Sequence, residues 1–241
     1  MNMIEPEKPL TPTLNKMGYM FSDITEYGEA FVDYASQLSV PVVDIAAAYG
    51  VATKRALKKG AHMVYANDID PRHLAILKQN VPENHQHRLK TFVGSFPEEL
   101  DFQQDSIGAV LIANVFHYLT GPQISMGITR LKSWLQPGGK VFVITGTPYT
   151  RMWESYIPGF YEEKKKKSLW PGWFGNIEQD KQVRMNDIPS FMHFFDIEVL
   201  ERCFVEEGFK VEKIGYIDRK DWPSDMRLDG RESVGLVGVK V

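Results

Sequence analysis

The sequence predicts an α/β protein built on a doubly wound, mostly parallel sheet. Three observations carry that expectation. Short apolar runs bounded by turn residues recur along the chain, Val40–Ile45, Met63–Asn67 and Ile107–Ala113 among them, as expected of strands buried on both faces. Segments with apolar residues at helical spacing separate these runs, so strands and helices alternate as in crossover-connected parallel sheets. The first run also dissolves into small residues, Ala46-Ala47-Ala48, and then reaches Gly50, the composition of a tight strand-to-helix turn.

Residues 1–22 read as a tail or lid, since three prolines fall in residues 1–18 and no periodicity is present. From Asp23 a helix is expected: Tyr27, Phe31, Tyr34 and Leu38 recur at four, three and four, and Asp23 with Glu26 has the spacing of a capping box. After the strand Val40–Ile45 comes a helix over Gly50–Lys59, stopped by Gly60, and then the strand Met63–Asn67. Asp70 before Pro71 starts the next helix, whose apolar stripe is Leu74, Leu77 and Val81. His87–Gly94 is the third strand and Ile107–Ala113 the fourth. Pro122 opens a helix with Ile124, Ile128, Leu131 and Leu135 on one face. Trp134–Gly146 then holds that helix's end, a Pro-Gly-Gly turn and the fifth strand. Asp196 caps a helix carrying Ile197, Leu200 and Phe204 that stops at Gly208, and Lys210–Ile217 and Ser233–Val241 complete the strands. Between the fifth strand and that last helix lies the segment 148–195, whose residues 148–190 hold eight aromatic residues among glycines and prolines, together with the run Lys164–Lys167. Neither helix nor strand periodicity is clean there. An insertion at the carboxyl edge of such a sheet is placed to cap a ligand site.

The totals narrow the class. With 241 residues, 43% of them hydrophobic, the chain suffices for one large domain with a sizeable core. A net charge of −3 gives no electrostatic case for a nucleic acid or an anionic membrane. No apolar run approaches the length of a membrane span. The single Cys203 excludes an internal disulfide, and the opening MNMIEPEKPLTPT lacks the apolar core of a signal peptide, so a cytoplasmic enzyme is expected.

The turn after the first strand names the chemistry. A dinucleotide site needs G-x-G-x-x-G to bring a pyrophosphate onto a helix N-terminus. Here the segment is Asp44-Ile45-Ala46-Ala47-Ala48-Tyr49-Gly50, with an acid leading in, and an acid repels phosphate but attracts a sulfonium or ammonium group. Asp68 follows 24 positions after Asp44, near the offset at which a second-strand carboxylate meets a ribose. In this respect the chain resembles the class I S-adenosylmethionine-dependent methyltransferases, whose first motif runs acid-x-G-x-G-x-G; its small-molecule branch, of the ubiquinone-biosynthesis kind, is the nearest in character. By that resemblance Asp44 is the leading acid, and Ala46, Ala48 and Gly50 occupy the three glycine positions, the alanines departing from the pattern.

The resemblance implies a seven-stranded sheet with its last strand antiparallel, S-adenosylmethionine as cofactor and a small-molecule acceptor. It further assigns Asp68 to the ribose hydroxyls, Ile69 to the adenine face, Ser95 and the Phe96 backbone to the adenine edge, and Asn114 to the methionine end. His117, whose ordinary pKa is near neutrality, is the candidate general base or acceptor-orienting group. Tyr118, Tyr149, Trp153 and His193 are the candidate acceptor contacts, and no metal is assigned. The expected reaction is transfer of a methyl group from S-adenosylmethionine to an O, N or C nucleophile. A nicotinamide-dependent oxidoreductase on a related sheet is the alternative, disfavoured by the missing glycines. A methyltransferase-like protein that binds without turnover is another.

Overall fold

The computed structural model describes residues 11–20, 23–177 and 190–241. Two short strands, β1 (Thr11–Pro12) and β2 (Tyr19–Met20), pair as a hairpin ahead of helix α1 (Glu26–Ala35). There follow β3 (Val42–Ile45), α2 (Val51–Lys59), β4 (Val64–Asp68), α3 (Pro71–Asn80), the short α4 (Glu83–Gln86), β5 (Leu89–Val93) and β6 (Ile107–Ala113). The second half contains α5 (Gly121–Trp134), β7 (Leu135–Gly146), α6 (Ile157–Lys165), a small hairpin of β8 (Trp173–Gly175) and β9 (Phe191–His193), α7 (Ile197–Glu206), β10 (Phe209–Ile217) and β11 (Ser233–Lys240).

Seven of these strands form one sheet in the order β10-β11-β7-β6-β3-β4-β5. All neighbours from β7 to β5 are parallel, while β11 runs antiparallel to both β7 and β10. The order reverses between β3 and β6, which makes their carboxyl ends the switch point where α/β sheets bind ligands. One face is covered by α1, α2 and α3 through Phe31, Ala56, Leu57 and Leu77. The other is covered by α5 and α7 through Ile128, Leu131, Leu200 and Phe204.

The caps explain the helix starts. The Asp70 carboxylate accepts from Arg72 N–H at 2.9 Å and the Asp196 carboxylate from Val199 N–H at 2.9 Å, as their positions ahead of the apolar stripes require. At α1 the capping residue is Thr25, which takes the Gly28 N–H at 3.5 Å; Asp23 pairs instead with Arg55, so the expected Asp23/Glu26 box does not form. Leu135, expected in a helical stripe, is the first residue of β7, and Gln136–Gly139 bulge out of the ladder before pairing resumes at Lys140. Within 148–195, α6 and the β8–β9 hairpin are regular, unlike the irregular segment the sequence implies. Trp153, Ile177, Met192 and Phe194, with Tyr156 and Phe174 packed against them, build a separate small core, while Phe160 of α6 joins the main one. The expected tail and cap lie partly at 1–10, 21–22 and 178–189, outside the described residues. Among the described residues no helix is long and apolar enough to cross a membrane.

Candidate functional site

The turn between β3 and α2 is held in a left-handed zigzag. Ala46, Ala48 and Gly50 have φ of 55°, 48° and 72°. Two alanines thus adopt a conformation that costs an L-residue about 1–2 kcal/mol. The turn is strained where the alanines replace glycine, but it is not displaced. Its surroundings enforce the shape: Ala47 N–H donates to Asn67 O at 2.8 Å, Ala48 N–H to Asp68 Oδ2 at 2.9 Å, and Gly50 N–H to Ala47 O at 2.8 Å. Gly50 is needed for space as well, because a Cβ there would stand 2.1 Å from Leu77 Cδ1.

Asp44 and Asp68 lie at the same end of neighbouring parallel strands. Asp44 is buried, and its Oδ2 accepts the Thr53 hydroxyl at 2.6 Å. Burial pushes its pKa up to about 6 against the pull of Thr53, and the nearby Asp68 carboxylate adds to the rise. Asp68 is also buried and accepts three hydrogen bonds, from Ala48 N–H, Asp70 N–H (2.9 Å) and His73 Nδ1 (3.0 Å). Asn67 braces the region by donating through Nδ2 to the carbonyls of Phe92 (3.1 Å) and Gly94 (2.8 Å).

A cavity of about 1120 Å³ opens above these carboxyl ends. Of the residues picked from the sequence it is lined by Asp44, Ala46, Ala48, Asp68, Ile69, Ser95, Phe96, Asn114, His117, Tyr118 and Trp153. Ile69 is 54% exposed at the end of an otherwise buried strand, an apolar surface left uncovered at the cavity wall. Ser95 donates its hydroxyl to Glu99 Oε2 at 3.0 Å, which leaves its lone pairs as acceptors. Asn114 has a φ of 59°, which its side chain tolerates better than most.

Three expected residues are not part of the lining. Gly50 closes the turn from beneath. Tyr149 is buried, with its hydroxyl on that of Tyr161 at 3.1 Å and the Arg231 guanidinium 3.7 Å from its ring centre; it belongs to the packing behind the cap, not to an acceptor pocket. His193 is fully buried between Trp170 and Phe195, with Nδ1 on Leu119 O at 3.0 Å, and burial lowers its pKa to about 4. Only Nδ1 is bonded, and Nε2 is buried without a hydrogen-bond partner, so the ring packs among aromatic side chains away from the cavity.

His117 is placed otherwise. Its Nδ1 accepts the Gly146 N–H at 3.3 Å, so in the neutral ring the proton resides on Nε2. Burial lowers its pKa to about 4, which keeps the ring uncharged at neutral pH. In that tautomer Nε2 offers a hydrogen-bond donor and holds no free lone pair for a base.

The sequence reading passed over several residues. The hairpin residues Thr13, Asn15, Met17, Tyr19 and Met20 wall one side of the cavity, and Met152, Met192, Phe194, Trp222 and Met226 wall the far side. His73 and Asn67 stand behind the turn. A polar residue inside an apolar strand or stripe was the available signal for both. The loop 218–232 is held by Glu232, whose buried carboxylate accepts four backbone N–H groups, from Arg219, Leu228, Asp229 and Gly230.

Residues 42–139 match the family model described as a methyltransferase domain. No curated protein sequence matches the chain. Solved structures of similar fold include an S-adenosylmethionine-dependent methyltransferase from Mesorhizobium loti, with 15% identity over 88% of this chain and 95% of that one and a TM-score of 0.64. Another from Methanosarcina mazei shares 12% identity over 91% and 99%, with a TM-score of 0.64. A third is the geranyl diphosphate C-methyltransferase of Streptomyces coelicolor A3(2), solved with Mg2+, geranyl diphosphate and S-adenosyl-L-homocysteine, at 12% identity over 89% and 79% and a TM-score of 0.62. Residues 42–139 thus match a methyltransferase domain, and the chain has the fold of the S-adenosylmethionine-dependent methyltransferases.

Proposed function

We propose that the chain methylates a small molecule with an apolar body at an O, N or C atom, with the donor seated on the β3–α2 turn and the acceptor under the cap. The observation that carries this reading is the continuity of a single cavity from Asp44 and Asp68 to Met152, Trp153, Met192, Phe194, Trp222 and Met226. At about 1120 Å³ it exceeds what one drug-sized ligand fills and has room for donor and acceptor together. Asp68 would accept from the ribose, Asp44 would face the donor's positive charge, and Ile69 and Phe96 would flank the base. Asn114 would lie at the methionine end and Ser95 at the adenine edge.

The acceptor end has no arginine to spare for an anionic acceptor. Its two arginines are engaged with acids, Arg219 with Asp221 at 2.8 Å and Arg151 with Glu154 at 3.3 Å. Because a sulfonium is already activated, such a site works chiefly by holding the nucleophile in line and excluding water. That effect reaches about 7–11 kcal/mol of barrier in well-oriented systems. His117, with its proton on Nε2, would orient the acceptor and not deprotonate it.

The test separates the two halves of the cavity. Calorimetry with S-adenosylhomocysteine is expected to give saturable heat with the wild type and with Met192→Trp, which fills the far side. Methyl transfer from labelled S-adenosylmethionine to a panel of phenols, amines and activated carbon acids is expected to fail only in Met192→Trp. Unchanged transfer in that variant overturns the acceptor assignment.

A further inference from the structure

His73 is fully buried on α3, yet both of its nitrogens are engaged. Nε2 accepts the Leu14 backbone N–H at 3.1 Å, and a backbone N–H can only donate. The ring proton is therefore on Nδ1, which donates to Asp68 Oδ1 at 3.0 Å. The neighbouring Arg72 donates through Nη2 to the Leu14 carbonyl at 3.3 Å, so consecutive residues of α3 grip both polar groups of one hairpin residue. Tyr49, within the β3–α2 turn, stands edge-on to His73 at 5.2 Å between ring centres and sends its hydroxyl to Pro12 O at 3.1 Å. Tyr118 closes the other end with a bond from its hydroxyl to Met17 O at 2.6 Å. Every one of these anchors is a main-chain group of the hairpin, and every partner belongs to the wall of the donor site or stands directly behind it.

We infer that His73 is a positioning residue that ties the ribose carboxylate to the N-terminal hairpin, making donor binding and closure of the hairpin over the site a single event. The inference rests on the assignment of Asp68 to the ribose. A carboxylate offers about four lone-pair sites, of which Ala48, Asp70 and His73 fill three, so the carboxylate is fixed in place with one site left for a hydroxyl. The bonds from Leu14 through the imidazole to Asp68 polarise one another, and a ligand that strengthens one end strengthens the other. Coupling is reciprocal: a closed hairpin favours the donor by the same factor by which the donor favours closure.

The experiment uses the full chain and two substitutions. His73→Met fills the space without hydrogen bonds, whereas His73→Asn retains an N–H where Nδ1–H stood and loses the acceptor for Leu14. Two ratios are read. One is the slowing of tryptic cleavage after Lys16, in the hairpin, on adding S-adenosylhomocysteine. The other is the affinity of adenosine relative to 2′,3′-dideoxyadenosine. In the wild type each is expected to be about tenfold or more, the range for a hydrogen bond to a charged group. His73→Met is expected to bring both close to one. His73→Asn is expected to keep the ribose discrimination and lose the protection of the hairpin. Ratios at the wild-type level in His73→Asn, or a common loss in both variants that tracks only their melting temperatures, overturn the inference. A wild type that binds no S-adenosylhomocysteine overturns the donor site itself; normal binding with unmoved ratios overturns only the role of His73.

Discussion

The most exposed consequence of the site's electrostatics is the behaviour of Asp44 with pH. Its carboxyl is buried at the end of β3, and burial, reinforced by Asp68, raises its pKa from 3.8 to about 6 despite the Thr53 hydrogen bond. A shift of that size is worth about 3 kcal/mol between the protonation states. The folded pKa lies above the unfolded one, so the folded protein holds this proton more tightly. Its contribution to stability is complete below about pH 4 and is lost as pH rises through about 6. Asp44→Asn removes the titration and keeps an acceptor for Thr53. Urea unfolding of both proteins across this window should show the variant gaining on the wild type by up to about 3 kcal/mol between about pH 4 and pH 7. A bound cation acts in the opposite sense, since it favours the ionised carboxylate. Wild-type affinity for S-adenosylmethionine should therefore rise over the same window, while the variant binds more weakly and without that slope. Parallel stability curves for the two proteins would refute the reasoning, because they would mean that the Asp44 charge is solvated.

Other outcomes follow from single contacts. Asp68→Ala should weaken S-adenosylhomocysteine binding by about 10–100-fold by calorimetry, through the loss of a charged acceptor. His117→Ala should lower kcat about tenfold or more while leaving that affinity within about twofold, and with a pKa near 4 His117 should add no inflection to the rate profile between about pH 5 and 8. Ala46→Gly and Ala48→Gly should each stabilise the protein by about 0.5–1 kcal/mol, the relief of left-handed strain less glycine's extra chain entropy; a lowered Tm would show the turn to be unstrained. Glu232→Ala should cost about 2–4 kcal/mol by orphaning buried N–H groups. Burial raises the Glu232 pKa, but its backbone donors outweigh burial and hold the carboxyl below the ordinary range. Its contribution is therefore present above about pH 4 and lost as pH falls, the reverse of Asp44.

The sheet was legible in the sequence because its strands are apolar runs cut off by turn chemistry. Val42–Ile45 and Ile107–Ala113 carry no polar residue but Asp44, and that exception lines the cavity. Asp70-Pro71 and Asp196 declared their helices by capping logic alone. What stayed hidden depends on contacts between distant segments. Nothing local to His73 announces that Leu14, 59 positions away, supplies its second partner. Tyr149 and His193 read as acceptor contacts because aromatic and imidazole groups in a cap suit recognition, yet the same groups suit packing, and only the surrounding Arg231, Trp170 and Phe195 decide. The Lys164–Lys167 run divides in the same way: Lys164 reaches inward to Asp196, while Lys165 and Lys166 pair with glutamates of their own helix.

The position of β11 has a consequence for how the protein is made. It is inserted between β7 and β10 and bonded to both, so it is the keystone of one wing of the sheet. During synthesis β7 must wait with an incompletely matched edge until Val239 has left the ribosome, nearly a hundred residues after its own ladder begins at Lys140. A nascent chain stalled before that point presents Val141, Val143 and Thr145 as an open strand, the kind of surface that recruits chaperones or pairs with another copy. A degradation tag or a stop codon placed a few residues upstream of Ser233 is expected to yield insoluble product, even though every residue of the donor turn is already present.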